Sequence, residues 1–443
     1  MHVIVIGGGI GGLCLANGLM REGVSVAVYE RDHSPTDRTQ GYRIHVNTVG
    51  SMALHACLPP AVWNAFVATA GDPGEGMAFL TYHLDSLALI EADLVTGGRT
   101  APEEGHHAVS RITLRRLLLA GLGDAVQFGK QFVGYDVKDD GRVLARFSDG
   151  STAEGDVLVG ADGANSRVRR QRLPQAERVD SGAVAVGGKF YLTPESRQWL
   201  PERVPAGMNI IFGPPRHAMF TAVFNRRMRA DQALESLGEQ LREIGLDPET
   251  FLRDASDSDY VLWAMVAHRD AYPAGAAALD GGGLRAMVER MIGGWHPGLL
   301  RMVGESRPGD IELFDFKTST PVKPWPSSTV TLLGDAIHSM LPTGGEGGNT
   351  AMRDAQLLTT RLSAAARGEQ PLLETIAAYE RQMCEYGFAA TKKALANAKM
   401  GISASRTQRV FARTFFRVCQ AVPPLKRRIF SERWAEPEEH RPL

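Results

Sequence analysis

The sequence predicts an α/β protein: a parallel sheet assembled from separated stretches of chain, a second sheet inserted between them, and a helical C-terminal segment. Three observations predict this. Short apolar runs at 3–6, 156–160 and 328–333 each lead into a glycine-containing turn, as buried parallel strands do. From about 180 to 320 the style changes to alternating segments such as 183–191 and 218–224, with helical stretches at 228–244 and 283–293, so a separate sheet is expected there. From near Gly347 to about 422 the pattern is helical. A length of 443 residues corresponds to about three domains at roughly 150 residues each. The expected partition is 1–75, 105–178 and 310–365 in the first domain, 76–104 and 179–309 in the inserted one, and 366–443 as C-terminal helices.

The first element, Val3–Ile6, is followed by Gly7-x-Gly9-x-x-Gly12 and a helical stretch that Gly23 is placed to end. Val24–Tyr29 is a second β-rich run, with Glu30 at its end, 21 residues after Gly9. Strand, glycine loop, helix and strand make a βαβ unit of Rossmann type. The glycines permit a tight turn, close backbone approach to a pyrophosphate and close helix–strand packing; the helix N-terminus adds partial positive charge. A carboxylate at the end of the second strand suits a ribose hydroxyl. Gly9, Gly11, Gly12 and Glu30 are therefore candidate dinucleotide-binding residues.

Residues 111–122 read as a helix and 131–147 as a strand pair around Asp139-Asp140-Gly141. The run at 156–160 enters Gly160-Ala-Asp162-Gly163, followed by Ser166 and Arg169. The run at 328–333 enters Gly334-Asp335, with His338, Pro342-x-x-Gly345-x-Gly347-Gly348-Asn349 and Asp354 beyond it. An aspartate at a strand's C-terminal end beside a glycine-rich helix entry suits a polyhydroxylated chain, and N–H groups at 345–349 suit a ring carbonyl or an anion. His338 reads as a packed histidine at a helix start.

Together these motifs resemble the single-component, aromatic-hydroxylase-type flavoprotein monooxygenases, over about 1–170 and 310–360. The resemblance implies a Rossmann-like FAD-binding domain of the GR2, p-hydroxybenzoate hydroxylase-like kind. It implies that the first motif holds the ADP part of FAD, that Asp162 contacts FAD and bears on NAD(P)H use, that Asp335 binds the ribityl chain, and that Gly345, Gly347, Gly348 and Asn349 lie by the isoalloxazine. Arg111, at a helix start, matches the family's FAD-contacting arginine, and Arg31 and Arg43 fall where further cofactor contacts occur. Glu346 departs from the pattern: an acid in the ring-side loop repels a reduced anionic flavin, accepts a proton or turns to solvent.

The implied activity is an FAD-dependent monooxygenase. NAD(P)H, as a transient cosubstrate, reduces the flavin, and O2 then gives a C4a-hydroperoxide that hydroxylates or epoxidises a hydrophobic small molecule in secondary metabolism. The alternative is a cyclase that keeps FAD as a structural part and folds its substrate for a non-redox cyclisation such as a [4+2] cycloaddition. No catalytic residue, substrate identity or oligomeric state is read from the sequence.

Composition narrows the partners. Lys+Arg is 49 and Asp+Glu 50, a net charge of −1, which argues against nucleic-acid binding. No apolar run reaches the ~20 residues that span a bilayer, so stable membrane insertion is not expected. Cys14, Cys57, Cys384 and Cys419 lie far apart, and a reducing, cytoplasmic location is the expectation. His106-His107 beside Glu103-Glu104 lacks i, i+4 ligand spacing, and no metal is expected. Residues 401–431 carry seven Lys/Arg and no acid. Arg406, Arg409, Arg413 and Arg417 share one helix face, opposite Phe411, Phe415, Val418 and Val422. The expectation is that this apolar stripe packs on the protein and the arginines face water; the alternative is a helix lying on a membrane surface.

Overall fold

The computed structural model describes residues 1–35, 37, 42–226, 230–254 and 259–434. Positions 228–229 of the helical stretch expected at 228–244, and 435–443 of the C-terminal segment, lie outside them.

The apolar runs form a five-stranded parallel sheet in the order Val330–Leu332, Val157–Gly160, His2–Ile6, Ser25–Tyr29, Val126–Gln127. Its inner strands are buried on both faces, which is why they read as unbroken apolar runs. The helix Ile10–Arg21 packs beside the 21-residue helix Glu346–Ala366. An antiparallel sheet of Phe132–Val137, Val143–Phe147 and Thr152–Gly155 stands beside it.

The insertion builds a larger sheet in the order Glu312–Ser319, Arg178–Tyr191, Tyr260–His268, His217–Arg226, Met208–Phe212, Gly76–Thr81, Ser86–Glu91. Only the Met208–Phe212 and Gly76–Thr81 pair is parallel. The strand Glu312–Ser319, past the expected boundary at 310, hydrogen-bonds to Arg178–Tyr191 and so extends the inserted sheet. Three short strands join the two halves. Arg43–Val46 pairs with His107–Ser110, and Gly71–Asp72 pairs with both His107–Ser110 and His217–Arg226.

The strand Tyr260–His268 shows how the inserted sheet is used. Val261, Trp263, Met265 and Ala267 are buried, while Leu262, Ala264 and Val266 are half-buried. The first set packs under the helices Gly281–Met291 and Pro297–Gly304. Gly281–Gly283 form the first turn of that first helix, capped by the Asp280 carboxylate accepting from Gly283 N–H. The second set looks toward the short joining strands and the C-terminal helices.

The helix Leu372–Gly401 lies on Glu346–Ala366, and the helical segment continues past 422 as Pro423–Trp434. The helix Arg406–Ala421 overturns the expected orientation. It buries Ala412, Phe416 and Cys419, whereas Phe411 is 73% exposed and Val418 44%. Arg409 and Arg413, expected in water, are half-buried, and Arg409 donates to the Gly213 carbonyl. The arginine face and the apolar face were both periodic; contact with Phe79 and Phe212 selects a third arc between them.

Candidate functional site

The three glycine segments meet at the C-terminal ends of the parallel strands, where open α/β sheets bind ligands. Gly7 has φ +113°, and a Cβ there would lie 2.4 Å from the Ala161 carbonyl oxygen, so the first loop is pressed against the Gly-Ala-Asp-Gly segment. At Gly11 a Cβ would strike Leu333, and at Gly12 the Gly7 carbonyl oxygen. These two glycines are packing positions. Gly9 differs: a Cβ there meets nothing within 4 Å, so its face opens on free space.

Glu30 is buried, and its carboxylate accepts from Gly8 N–H at 2.7 Å and Asp32 N–H at 3.1 Å. It therefore holds the glycine loop. Arg115, which sequence reasoning did not single out, braces the same loop by donating to the Gly8 and Pro35 carbonyls. It stands four residues after Arg111, one turn along the same face. Arg111 itself begins the helix Arg111–Leu119 and is exposed, as is Arg31.

Asp162 accepts from the N–H groups of Arg167 and Val168 through Oδ2, capping the next helix, while its buried Oδ1 has no partner. Burial raises its pKa, opposed by hydrogen bonds from Ser166 and the backbone. Arg169 ties this segment to the third motif by donating to the Ala164 and Ala336 carbonyls. Gly334 turns at φ +64°. The turn is fixed by buried Asp354, whose Oδ2 accepts from Gly334 N–H and pairs with His338 Nε2 at 2.7 Å, and whose Oδ1 accepts from the Tyr386 hydroxyl. Asp335 follows with an exposed face. The protein packed behind it raises its pKa, against the pull of His338, Arg111 and Arg178.

Gly344 and Gly345 adopt φ +97° and +69° and lead into the helix Glu346–Ala366. Its first turn is bare: a Cβ at Gly347 meets only Met340 Cγ, at 3.7 Å, and one at Gly348 meets nothing within 4 Å. Asn349 is a brace. Its Nδ2 donates to the His45 and Gly345 carbonyls, and its Oδ1 accepts from Asn47 N–H. Glu346 is committed to Asn47 Nδ2 and to the Lys393 ammonium at 3.2 Å, so the acid that broke the motif is neutralised from the C-terminal helix. Neither Asn47 nor Lys393 carried a sequence signal for this.

Arg43 lies on the joining strands, paired with Ser110. Its face is shared by His45 and Ala108, and Ala108 packs with Phe224 and Tyr260 of the inserted sheet. Its Nε and Nη2 are buried with no partner, and burial lowers its pKa to about 10. Lys189, also buried, sits 4.8 Å over the Tyr260 ring. His45 Nε2 meets His106 Nδ1 at 2.9 Å, and burial holds both imidazoles neutral, His106 down to about 4.

A family model described as FAD binding domain matches residues 1–226 and 306–392. The chain belongs to this FAD-binding family. It is 32% identical over 408 residues to the dual O-methyltransferase/FAD-dependent monooxygenase elcB of Phaeosphaeria nodorum, covering 85% of this chain and 42% of that protein. The chain thus spans less than half the length of that relative. It is 28% identical over 390 residues to the FAD-dependent urate hydroxylase of Klebsiella oxytoca, covering 87% and 86%. A structure from Photorhabdus luminescens, assigned as an FAD containing monooxygenase, superposes with a TM-score of 0.78 at 33% identity, covering 91% of this chain and 98% of that one. The cofactor is FAD, and the residues present suit it. Gly9 and the first turn at Gly347–Gly348 leave backbone open, and the orphaned Asp162 Oδ1 lacks a donor.

Proposed function

We propose that the protein is an FAD-dependent monooxygenase that uses NAD(P)H and O2 to hydroxylate or epoxidise a hydrophobic organic substrate in secondary metabolism. One observation carries this reading. The half-buried apolar face of the inserted sheet reaches the Met340–Leu341 turn, the entrance to the bare helix start. FAD, when bound, supplies hydride acceptance and oxygen activation.

The chain's own residues do the rest. Gly9 would admit the pyrophosphate, and Glu30, which fixes the loop, would accept from the adenosine ribose. Arg31 and Arg111 stand at the exposed rim. Asp162 and Asp335 take hydroxyl donors. The N–H groups of Gly347 and Gly348 would bind the ring's polar edge, with Asn349 holding that turn on the Arg43–Val46 strand. Leu262, Ala264, Val266, Phe220, Ile210 and Phe314 form an apolar wall that excludes water from the reacting centre. Arg43 and Lys189 add buried positive charge beside that wall, which suits a substrate bearing a phenolic or enolic oxygen.

The test is anaerobic addition of NADPH or NADH to the FAD-loaded protein. The flavin absorbance is expected to bleach and to return on admitting air, with O2 consumed. A flavin that stays oxidised with both nucleotides overturns this reading and favours the cyclase.

A further inference from the structure

We infer that the outer face of the helices Arg406–Ala421 and Pro423–Trp434 is a docking surface for an anionic lipid bilayer. This goes beyond the proposed activity and stands without it. Five apolar side chains are exposed in this stretch: Val410 at 60%, Phe411 at 73%, Val418 at 44%, Val422 at 42% and Leu425 at 36%. Phe411, Val418 and Val422 fall at i, i+7 and i+11, one line along the outer face, with Thr414 between the first two. The 16-residue helix gives this ridge a length of about 24 Å at ~1.5 Å per residue. A separate arc, Ala412, Phe416 and Cys419, is already used against the inserted sheet, with Phe416 stacked on Phe79 at 3.9 Å. The outer ridge is therefore not the inner stripe left over by a loose fit; both faces are apolar, and one remains outside.

The two helices are basic. Arg406 and Arg417 are exposed about 120–140° round the first helix from the ridge, at ~100° per residue, and Arg427 and Arg428 are exposed on the second, which packs on the helix Ala92–Thr96 with its exposed Asp93. No acid occurs from Arg406 to Arg428. Lys426 points inward instead, to Glu91 and the Leu89 carbonyl. An apolar ridge with arginines on the polar part of the solvent side is the pattern of a helix lying in the headgroup plane. No helix among the described residues is long and apolar enough to cross a membrane, so the contact is one of surface adsorption. The surface lies on the Ser86–Glu91 edge of the inserted sheet. That places a lipid reservoir beside the sheet whose other strands form the apolar wall.

The experiment is co-sedimentation of the full, FAD-loaded chain with phosphatidylcholine vesicles, with and without phosphatidylglycerol, at low and high salt. The chain is expected to sediment with the phosphatidylglycerol vesicles alone and to be released by salt. At about fivefold per cationic side chain near an anionic surface, Arg406→Glu with Arg417→Glu is expected to lower partitioning by well over tenfold. Phe411→Ser with Val418→Ser is expected to lower it as well. These positions are exposed, and unchanged FAD content and melting temperature verify the fold of each variant. Failure of the wild-type chain to sediment with anionic vesicles overturns the inference. So does partitioning that both double variants leave unchanged, or a wild-type dimer that Phe411→Ser with Val418→Ser converts to monomer.

Discussion

Glu346 shows what a single side chain reveals only in three dimensions. In the sequence it is an acid inside a glycine loop; in the fold it is the first residue of a helix and half of an ion pair with Lys393. Removing either partner unbalances the other. Lys393→Met is expected to lower the flavin midpoint potential, since an uncompensated carboxylate disfavours the anionic reduced ring, and Glu346→Gln is expected to raise it. Spectroelectrochemistry reads both, and identical potentials in the two variants and the wild type contradict the placement. Arg115 was equally illegible, because its partners, Gly8 and Pro35, are distant in sequence. The histidines make a pH statement. Burial first, then the charges of His107 and Arg99, hold His106 near about 4. A depressed folded value means the unfolded chain binds the proton first as pH falls below ~6.5, so stability drops between there and about 4, by at most ~1.4 kcal/mol per pH unit for this group. His106→Gln is expected to flatten that part of the melting-temperature profile; an unchanged slope contradicts it.

Among the elements, the glycine loops were the most legible, because each glycine is demanded by backbone rather than by a distant side chain. Their division of labour was not. Gly12→Ala brings a Cβ to 2.2 Å from the Gly7 carbonyl oxygen and is expected to destabilise the fold by about 1–3 kcal/mol, the usual cost of overpacking, as read by denaturant unfolding. The Gly334 turn depends on Asp354, which the sequence showed only as part of a motif. For His338, burial pulls the pKa down, but the charge and hydrogen bond of Asp354 outweigh it and the net shift is upward. The stability it contributes is complete below the unfolded value and is lost as pH rises through the raised folded one. Asp354→Asn is expected to cost about 3–5 kcal/mol, the range for breaking a buried pair, and to flatten stability across neutral to alkaline pH. The helix Arg406–Ala421 marks the limit of periodicity. Its pattern identifies apolar arcs, but which arc is buried depends on Phe79 and Phe212, residues of another element.

At the scale of the molecule, the sequence separated a parallel sheet from an inserted one because buried strands read as unbroken apolar runs and half-buried strands alternate. It did not reveal the join. Arg43–Val46, Gly71–Asp72 and His107–Ser110 are two to four residues long, too short for any period, yet they fix Arg43 and Asn349 between the two sheets. Nor did it show the pairing of Glu312–Ser319, whose partner strand lies more than 120 positions earlier. One FAD is proposed to lie across the three glycine segments, with carboxylate anchors at Glu30 and Asp335 and open backbone at Gly9. The measurement that tests it most directly is the FAD affinity of the deflavinated chain, by fluorescence titration, beside that of Glu30→Ala, Asp335→Ala and Gly9→Val. The wild-type chain is expected to bind one FAD. The two carboxylate variants are expected to bind about tenfold to a hundredfold more weakly, from ~1.5–3 kcal/mol per hydrogen bond to a charged group. Gly9→Val is expected to fold and to lose binding. Equal FAD affinity in all four proteins would contradict the account.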